Sequence, residues 1–489
     1  MPSLSKSRYL SGNQCHLRLW YDSYERELAL RPDEALQAVF DTGHEVGLLA
    51  CERYPGGHAI EHDHRHVREA LEETRRIIRM GVATTLFEPA FRHEGVLVRA
   101  DILERLPGGG WRLGEVKSTT RLKSVFVLDV AVQLWVLRGA GLDVREAEVV
   151  TLNRDYVYDG GPLDLKSLFR RHPLTMQANR LQGRIGEKVQ EMLAMLGGNA
   201  APAIAPGEQC FEPYECPYYS HCTRDFVWPD HGIEELPWLG RELRRQLRDG
   251  GIEEIGDIPE QFQLNDLQRV VRRAVREKRA VVHGNVSEAL SGLKAPVRYL
   301  DFESFAPAIP RFAGSRPYEA IPFLFSVHSE RNGLPPEHAD YLHEQDDDPR
   351  PQLVDRLIDA LGNRGSICTY STYEQSVVDA LAVAVPERAQ ELSAVSARLF
   401  DLLPVVRGTY YHPGFRGSFS LKQVLPVLAP EMGYGDLEVS DGRTASVHYM
   451  RALRSRESLE RQKAFDNLRA YCERDTLALV RLHEALRCL

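Results

Sequence analysis

The chain has 489 residues, of which 43% are hydrophobic and 27% charged, and its formal net charge is −9. That length exceeds what one hydrophobic core usually organises, so two large units with a connector are expected, and no apolar run is long enough to cross a bilayer. The negative net charge excludes a global attraction to nucleic acid and leaves any such binding to local basic patches.

The opening MPSLSKSRYLSGNQCHLRLW lacks the charged and apolar regions of a signal peptide, so a cytoplasmic protein without disulfides or membrane association is expected. DTGHEVGLLA reads as a helix carrying His44. Strands are predicted over Phe87–His93, Val96–Arg105 and, after a Pro-Gly-Gly-Gly turn, Trp111–Lys117, which together make an antiparallel meander. A helix over Val125–Arg138, stopped by Gly139 and Gly141, leads to a strand over Glu146–Asn153, and helical periodicity resumes over Leu174–Met195. GGNAAPAIAPG then reads as a flexible tether to a cysteine-rich segment, Cys210 to Cys222. RELRRQLR and RRAVREKR mark a helical connector with no strong strand. At Val297 a buried strand, VRYLDFES, opens a new unit that continues through IPFLFSVHSE, an acidic loop EQDDDPRP, a helix over Gln352–Leu361, the strand ICTYS and two final helical stretches. The predicted division is 1–227, 228–294 and 295–489, in an α/β protein.

Asp101 is placed on one strand, and Glu115 and Lys117, two apart on the next, point to the same face of the sheet. Two carboxylates there can hold Mg²⁺ or Mn²⁺ while the lysine positions water or offsets phosphate charge, the set that phosphodiester hydrolysis needs. Alone, the pattern also fits an exposed Glu–Lys ion pair. His44 can complete the metal shell, and Gln133, on the following helix, can touch the scissile strand or fix the lysine. This order of helical His, Asp, Glu-x-Lys and helical Gln resembles the RecB-like branch of the PD-(D/E)XK nucleases, which implies a restriction-endonuclease-like domain. Leu137 stands where that family usually has a tyrosine.

Of eight cysteines, Cys15, Cys210, Cys216 and Cys222 bracket this segment. The Cys-x5-Cys-x5-Cys spacing after a flexible arm suits thiolates converging on one inorganic centre, with Cys15 as the fourth. Zinc is the chemical rival, although zinc sites favour closer cysteine pairs, and four unrelated buried thiols are the bland alternative. Iron-sulfur RecB-like nucleases place one cysteine before the core and three after it, so the resemblance implies a 4Fe-4S cluster stapling the arm. Cys51, Cys368, Cys472 and Cys488 read as core thiols.

Asp301 and Glu303 lie two apart on an otherwise apolar strand, where two carboxylates repel unless cations hold them. Tyr471 and Asp475, four apart in YCERD, share a helix face, where the phenol can orient water and the carboxylate can reach a metal. Glu374, at a helix start after a strand, supplies a fourth acid. This order resembles the DEDD exonucleases of the RNase H-like fold, in the form with Tyr-x3-Asp on the last helix, over roughly Pro296 to Leu489. Glu374 departs from the usual Asp and Ser371 from the usual Asn. SFSLKQVL places Ser420 and Gln423 as a capping box, with Lys422 read as solvated.

The combination resembles a family of two-nuclease proteins, and implies a metal-dependent nuclease with Lys117, Gln133, Tyr471 and the four C-terminal acids as its catalytic groups. Single-stranded DNA is favoured over RNA, with Tyr410, Tyr411 and Phe415 as base-stacking candidates. The rival reading is a nucleic-acid-binding scaffold with one degenerate site, or an RNA exonuclease.

Overall fold

The computed structural model describes residues 3–63, 65–331, 333–433, 438–439 and 441–489. The protein is mixed α/β and divides into two compact units, Met1–Phe226 with Pro307–Glu319, and Val227–Ala306 with Ala320–Leu489. Among the described residues no helix is long and apolar enough to cross a membrane.

In the first unit a six-stranded sheet runs in the order His58–Ala59, Thr85–Phe87, Ile102–Arg105, Trp111–Lys117, Val144–Leu152, Phe169–Pro173. Trp111–Lys117 pairs antiparallel with Ile102–Arg105 and parallel with Val144–Leu152. A parallel pair needs a crossover, and the helix Val125–Gly139 supplies it. That helix is apolar around most of its circumference, as a helix enclosed by core must be, and it buries Val130, Ala131, Val132, Leu134, Val136 and Leu137. Its buried Asp129 and Gln133 are four apart and therefore share one face.

The strand predicted over Val96–Arg105 is two strands. Val96–Arg99 belongs to a separate three-stranded sheet with Ala90–His93 and Leu4–Ser5, whereas Ile102–Arg105 joins the six-stranded sheet. Asp101 therefore sits at the change of sheet and not within a strand. The switch is fixed by Ala100 N–H donating to the Pro89 carbonyl and Glu88 N–H to the Asp101 carbonyl, with Glu88 at φ 53. The same bend divides the predicted Phe87–His93 strand, because alternation of polarity continues through a turn that moves the chain between sheets.

In the second unit a five-stranded sheet runs Leu334–Leu342, Ile321–Arg331, Arg298–Phe305, Ile367–Thr369, Leu399–Asp401. The first three strands pair antiparallel with one another, Ile367–Thr369 pairs parallel with Arg298–Phe305, and Leu399–Asp401 pairs parallel with Ile367–Thr369. Leu300 and Phe302 face one core with Leu353, Leu357, Val377 and Leu381. Tyr299, on the opposite face, packs with Leu479, Leu482 and Leu486 of the long C-terminal helix Ser458–Arg487. Period-two geometry then directs Asp301 and Glu303 toward that same helix.

The segment 228–294, read as a connector, belongs to this second core: Ile233, Leu247, Ile255, Val271, Ala274 and Val275 pack with Tyr299 and Leu479. Its apolar residues recur at helical spacing and so need a core to cover them. The segment Pro307–Glu319, within the predicted 295–489 domain, is instead part of the first unit, where Gly314 N–H donates to the Tyr158 carbonyl and the Tyr318 hydroxyl to the Ser118 carbonyl. Asn265 and Gln268 form a reciprocal capping box on the helix Asp266–Glu277. Asn265→Ala should destabilise the second unit by about 1 kcal/mol. Hydrogen exchange read by mass spectrometry should show protection falling in strand Arg298–Phe305 as well as in 228–294. Loss confined to 228–294 would mean that the helices form a separate body.

Candidate functional site

In the second unit, ligand oxygens of Asp301, Glu303 and Asp475 lie within 4.8 Å of one another. The central strand presents the first two and the C-terminal helix the third. Glu374, in the first turn of the helix Tyr373–Ala384, is buried and lines the same cavity as Asp301 and Asp475. Its Oε2 is buried without a hydrogen-bond partner. Desolvation and like charge act together here. Burial, then Asp475, Glu303 and Glu374, hold Asp301 well above the usual carboxylate range. Burial and Asp475 push Glu303 up to about 8, and burial with Asp401 and Asp475 lifts Glu374 to about 7.

The Tyr471 hydroxyl donates to Asp475, and burial followed by the Asp475 and Glu303 charges keeps it protonated. Lys422, read as solvated, exposes much of its length, yet its ammonium donates to the Tyr471 oxygen at 3.0 Å and lies 5.0 Å from the ring centre. The chain Lys422–Tyr471–Asp475 thus brings a cation to the edge of an acidic centre. Cys472 is buried with its sulfur 3.6 Å from Asp301 Oδ2, so this thiol is part of the site's wall. Ser371, two residues after its strand, adopts φ 142, and its hydroxyl accepts from Tyr373 N–H.

The cavity has a volume of about 570 Å³ and is also lined by Trp238, Tyr370, Arg407, Phe419 and Lys422. Tyr410, Tyr411 and Phe415 do not reach it as stacking groups. They are buried and pack edge-on with one another and with Phe419. The predicted capping box at Ser420 and Gln423 is absent. Ser420 makes no side-chain cap, because its hydroxyl pairs with Ser418, and the Gln423 amide donates to the Gly414 carbonyl.

The first unit gathers Glu115, Lys117 and Gln133 with two residues that spacing did not single out, Lys6 and Asp129. Glu115 Oε1 accepts from Lys6 at 2.6 Å and from Lys117 at 2.7 Å, while Oε2 accepts from Gln133 at 2.7 Å. Asp129 takes both ammonium groups as well, Lys117 at 2.6 Å and Lys6 at 3.1 Å. Burial opposes the charges of Glu115, Lys6 and Lys117. The lysines nevertheless hold Glu115 far below its usual range, and the acids hold both lysines above theirs. Asp101 accepts from Val116 N–H at 2.7 Å, and burial with the Glu115 charge pushes it up to about 8.

His44 lies on the helix Glu34–Glu52, exposed, and among the described residues it does not gather with Asp101 and Glu115 within 4.8 Å. Leu137, where the resemblance expects a tyrosine, is fully buried in the core.

Cys15, Cys210, Cys216 and Cys222 line one small cavity. Cys15 occupies the junction between the helices Lys6–Gln14 and His16–Tyr24, and the other three lie on the arm. The Gln14 amide donates to the carbonyls of Gln209 and Tyr214, and the Tyr218 hydroxyl to Asp22, so ordinary hydrogen bonds already hold the arm against these helices. Among the described residues no three of the four sulfurs lie within 4.8 Å of one another. Of the cysteines read as core thiols, Cys368 and Cys472 are buried, Cys51 is half-buried and Cys488 is exposed, one residue from the C-terminus.

Residues 298–420 match a family model described as a domain of unknown function, DUF2779. That stretch holds Asp301, Glu303 and Glu374 and ends before Lys422, Tyr471 and Asp475. A search of curated proteins finds no match. Among solved structures, the crystal structure of SSO0001 is similar with 13% identity over 46% of this chain and 87% of that chain, at a TM-score of 0.22.

The raised carboxylates of the second unit give a signed pH dependence. Glu303 and Glu374 rise from 4.5 to about 8 and about 7, so between those limits the folded state holds more protons than the unfolded one, and stability falls as pH increases. Urea unfolding of chelator-treated protein should show a midpoint that declines through this window, a shallower decline in Glu303→Gln, and a flattening on addition of Mn²⁺, which replaces the protons. A flat profile in the chelated wild type would contradict the coupling of these acids.

Proposed function

We propose that the protein is a divalent-metal-dependent nuclease, with its exonuclease site in the second unit and a further hydrolytic site in the first. The observation that carries this reading is the convergence of the Asp301, Glu303 and Asp475 oxygens within 4.8 Å. Mutually repelling, desolvated carboxylates call for a cation, and three hard oxygen donors plus the unpartnered Glu374 Oε2 suit Mg²⁺ or Mn²⁺. Such an ion supplies charge stabilisation at phosphorus and an acidified water. The chain's own residues do the rest: Asp301, Glu303, Glu374 and Asp475 are the ligands, the Tyr471 hydroxyl orients the attacking water, and Lys422 offsets charge on the phosphate. The central strand with antiparallel partners on one side and parallel partners on the other supports an RNase H-like, DEDD-type reading of this unit.

For the first unit, Asp101 and Glu115 are the acids, Lys117 the cation at the scissile phosphate and Gln133 the residue that fixes Glu115, in a RecB-like PD-(D/E)XK domain. A specific observation favours a second reading here, a domain that binds nucleic acid without cutting it. Both Glu115 oxygens are engaged by Lys6, Lys117 and Gln133, and His44 stands outside the cluster. Single-stranded DNA remains the favoured substrate, in repair or processing, with RNA second.

The cysteine set is assigned to a 4Fe-4S cluster held by Cys15, Cys210, Cys216 and Cys222. Tetrahedral zinc with Zn–S near 2.3 Å brings its sulfurs to about 3.8 Å of one another. Four cysteines around one shared cavity, no three of whose sulfurs gather within 4.8 Å among the described residues, favour a polynuclear centre over a single zinc ion.

End-labelled single-stranded DNA tests the two sites. Asp301→Asn and Asp475→Asn should each slow mononucleotide release about a hundredfold or more, and Lys117→Ala should leave that release intact while removing any internal cleavage. Undiminished release in both aspartate variants would overturn the exonuclease assignment. The cluster is tested by purification without oxygen: brown protein containing iron and acid-labile sulfide is expected, with both lost in Cys216→Ser. Colourless protein with stoichiometric zinc would refute it.

A further inference from the structure

The mechanism above leaves one cation of the second unit's cavity unused. Arg407, on the helix Leu402–Thr409, has its guanidinium carbon 5.2 Å from the Trp238 ring centre and 5.7 Å from that of Phe419. Its Nε is buried without a hydrogen-bond partner, and among the described residues it forms no salt bridge, although Asp301, Glu374 and Asp475 line the same cavity. Asp401 is near enough to be stabilised by its charge but spends its own oxygen on capping the helix, accepting from Leu403 N–H. A guanidinium lodged between aromatic faces is partly desolvated, and its planar fork is oriented by the rings and not by an acid. This arrangement lacks the anion that such a fork is built to grip.

Trp238 supplies the second half. It is 64% exposed, lines the cavity and stands at φ 52, a backbone region that bulky residues rarely occupy. The neighbouring carbonyl of Pro237 is fixed by the buried Gln268 amide at 2.9 Å, so the surrounding loop is held in place. An indole kept out of the core beside a cation is a surface on which a flat ring can stack.

We infer that the cavity contains a nucleotide-recognition subsite in which Arg407 takes a phosphate and Trp238 stacks the base. The ligand class is a nucleoside monophosphate or the terminal nucleotide of a single strand. This deepens the exonuclease reading of the same cavity and rests on it for the substrate, though the contacts themselves need no metal.

The test uses the full chain in chelator, titrated with thymidine monophosphate and with thymidine, reading tryptophan fluorescence together with calorimetry. The monophosphate should quench fluorescence saturably and bind about tenfold or more tighter than the nucleoside, the scale of a charge-assisted phosphate contact. Trp238→Phe should abolish the quench while retaining calorimetric binding. Arg407→Met should erase the preference for the monophosphate, and Arg407→Lys should restore part of it. Because Trp238 is exposed, its variant should fold whatever happens at Arg407. Equal binding of nucleotide and nucleoside, or a quench that persists in Trp238→Phe, would overturn the subsite. If those failures occur while Asp301→Asn still abolishes nucleotide release, only the subsite falls. If the wild type releases nothing with Mn²⁺ yet Trp238 and Arg407 behave as stated, the nucleotide site stands and the nuclease reading falls.

Discussion

Burying several carboxylates side by side costs desolvation for each and repulsion between all, and the second unit is organised around accommodating that cost. Asp301 and Glu303 reach the same point because a strand repeats every second residue, and Asp475 reaches it because the C-terminal helix packs on that face of the strand. The long helix is anchored by an apolar contact that begins beside the acids. Leu479, Leu482 and Leu486 share a core with Tyr299, whose hydroxyl contacts His483 at 2.7 Å. Apolar burial on both sides of the cluster therefore holds the acids where electrostatics alone would drive them apart. The excess is relieved by protons when no cation is present, which is why Glu303 and Glu374 titrate near neutrality.

The first unit meets a similar density of acids with the opposite solution. Asp101, Glu115 and Asp129 are matched by Lys6 and Lys117, so Glu115 stays ionised and the lysines stay charged. A buried pair of this kind is costly to break from one side, because the remaining partner is left charged and unsolvated. Any ion entering here has to compete with Lys6 for the Glu115 and Asp129 oxygens. The two clusters thus differ in how open they are to a cation, although both are rich in carboxylates.

Much of this was legible in the sequence where the signal is local. The Asp-x-Glu pair, the i, i+4 spacing of Tyr471 and Asp475, and the helix bearing Gln133 all follow from fixed backbone periods. Lys6 was not legible, because 109 residues separate it from Glu115 and only the fold joins them. Asp129 sat unremarked in a run of apolar residues, where a single buried acid looks like an irregularity of pattern. The edge strand Leu334–Leu342 was missed because LPPEHADYL is mostly exposed and carries two prolines, features that edge strands tolerate and that obscure alternation. The 228–294 helices were recognised as helices but not as core, since their high charge masks an apolar stripe that makes sense only against Tyr299 and Leu479.

That last misreading bears on the chemistry. A connector would leave Trp238 on an unstructured surface, whereas a segment packed into the second core carries it to the rim of the acidic cavity, opposite Arg407. Net charge works against an anionic polymer approaching a chain at −9, so a substrate has to be captured by cations that are not already spent on acids. In the first unit both central lysines are engaged by Glu115 and Asp129. In the second unit Arg407 leans on two aromatic rings, partners that polarise a cation without neutralising it. Positive charge kept available at Arg407 lets one cavity hold both an acidic centre and the phosphate brought to it, because this cation is held by rings and leaves the carboxylates to the chemistry that requires them.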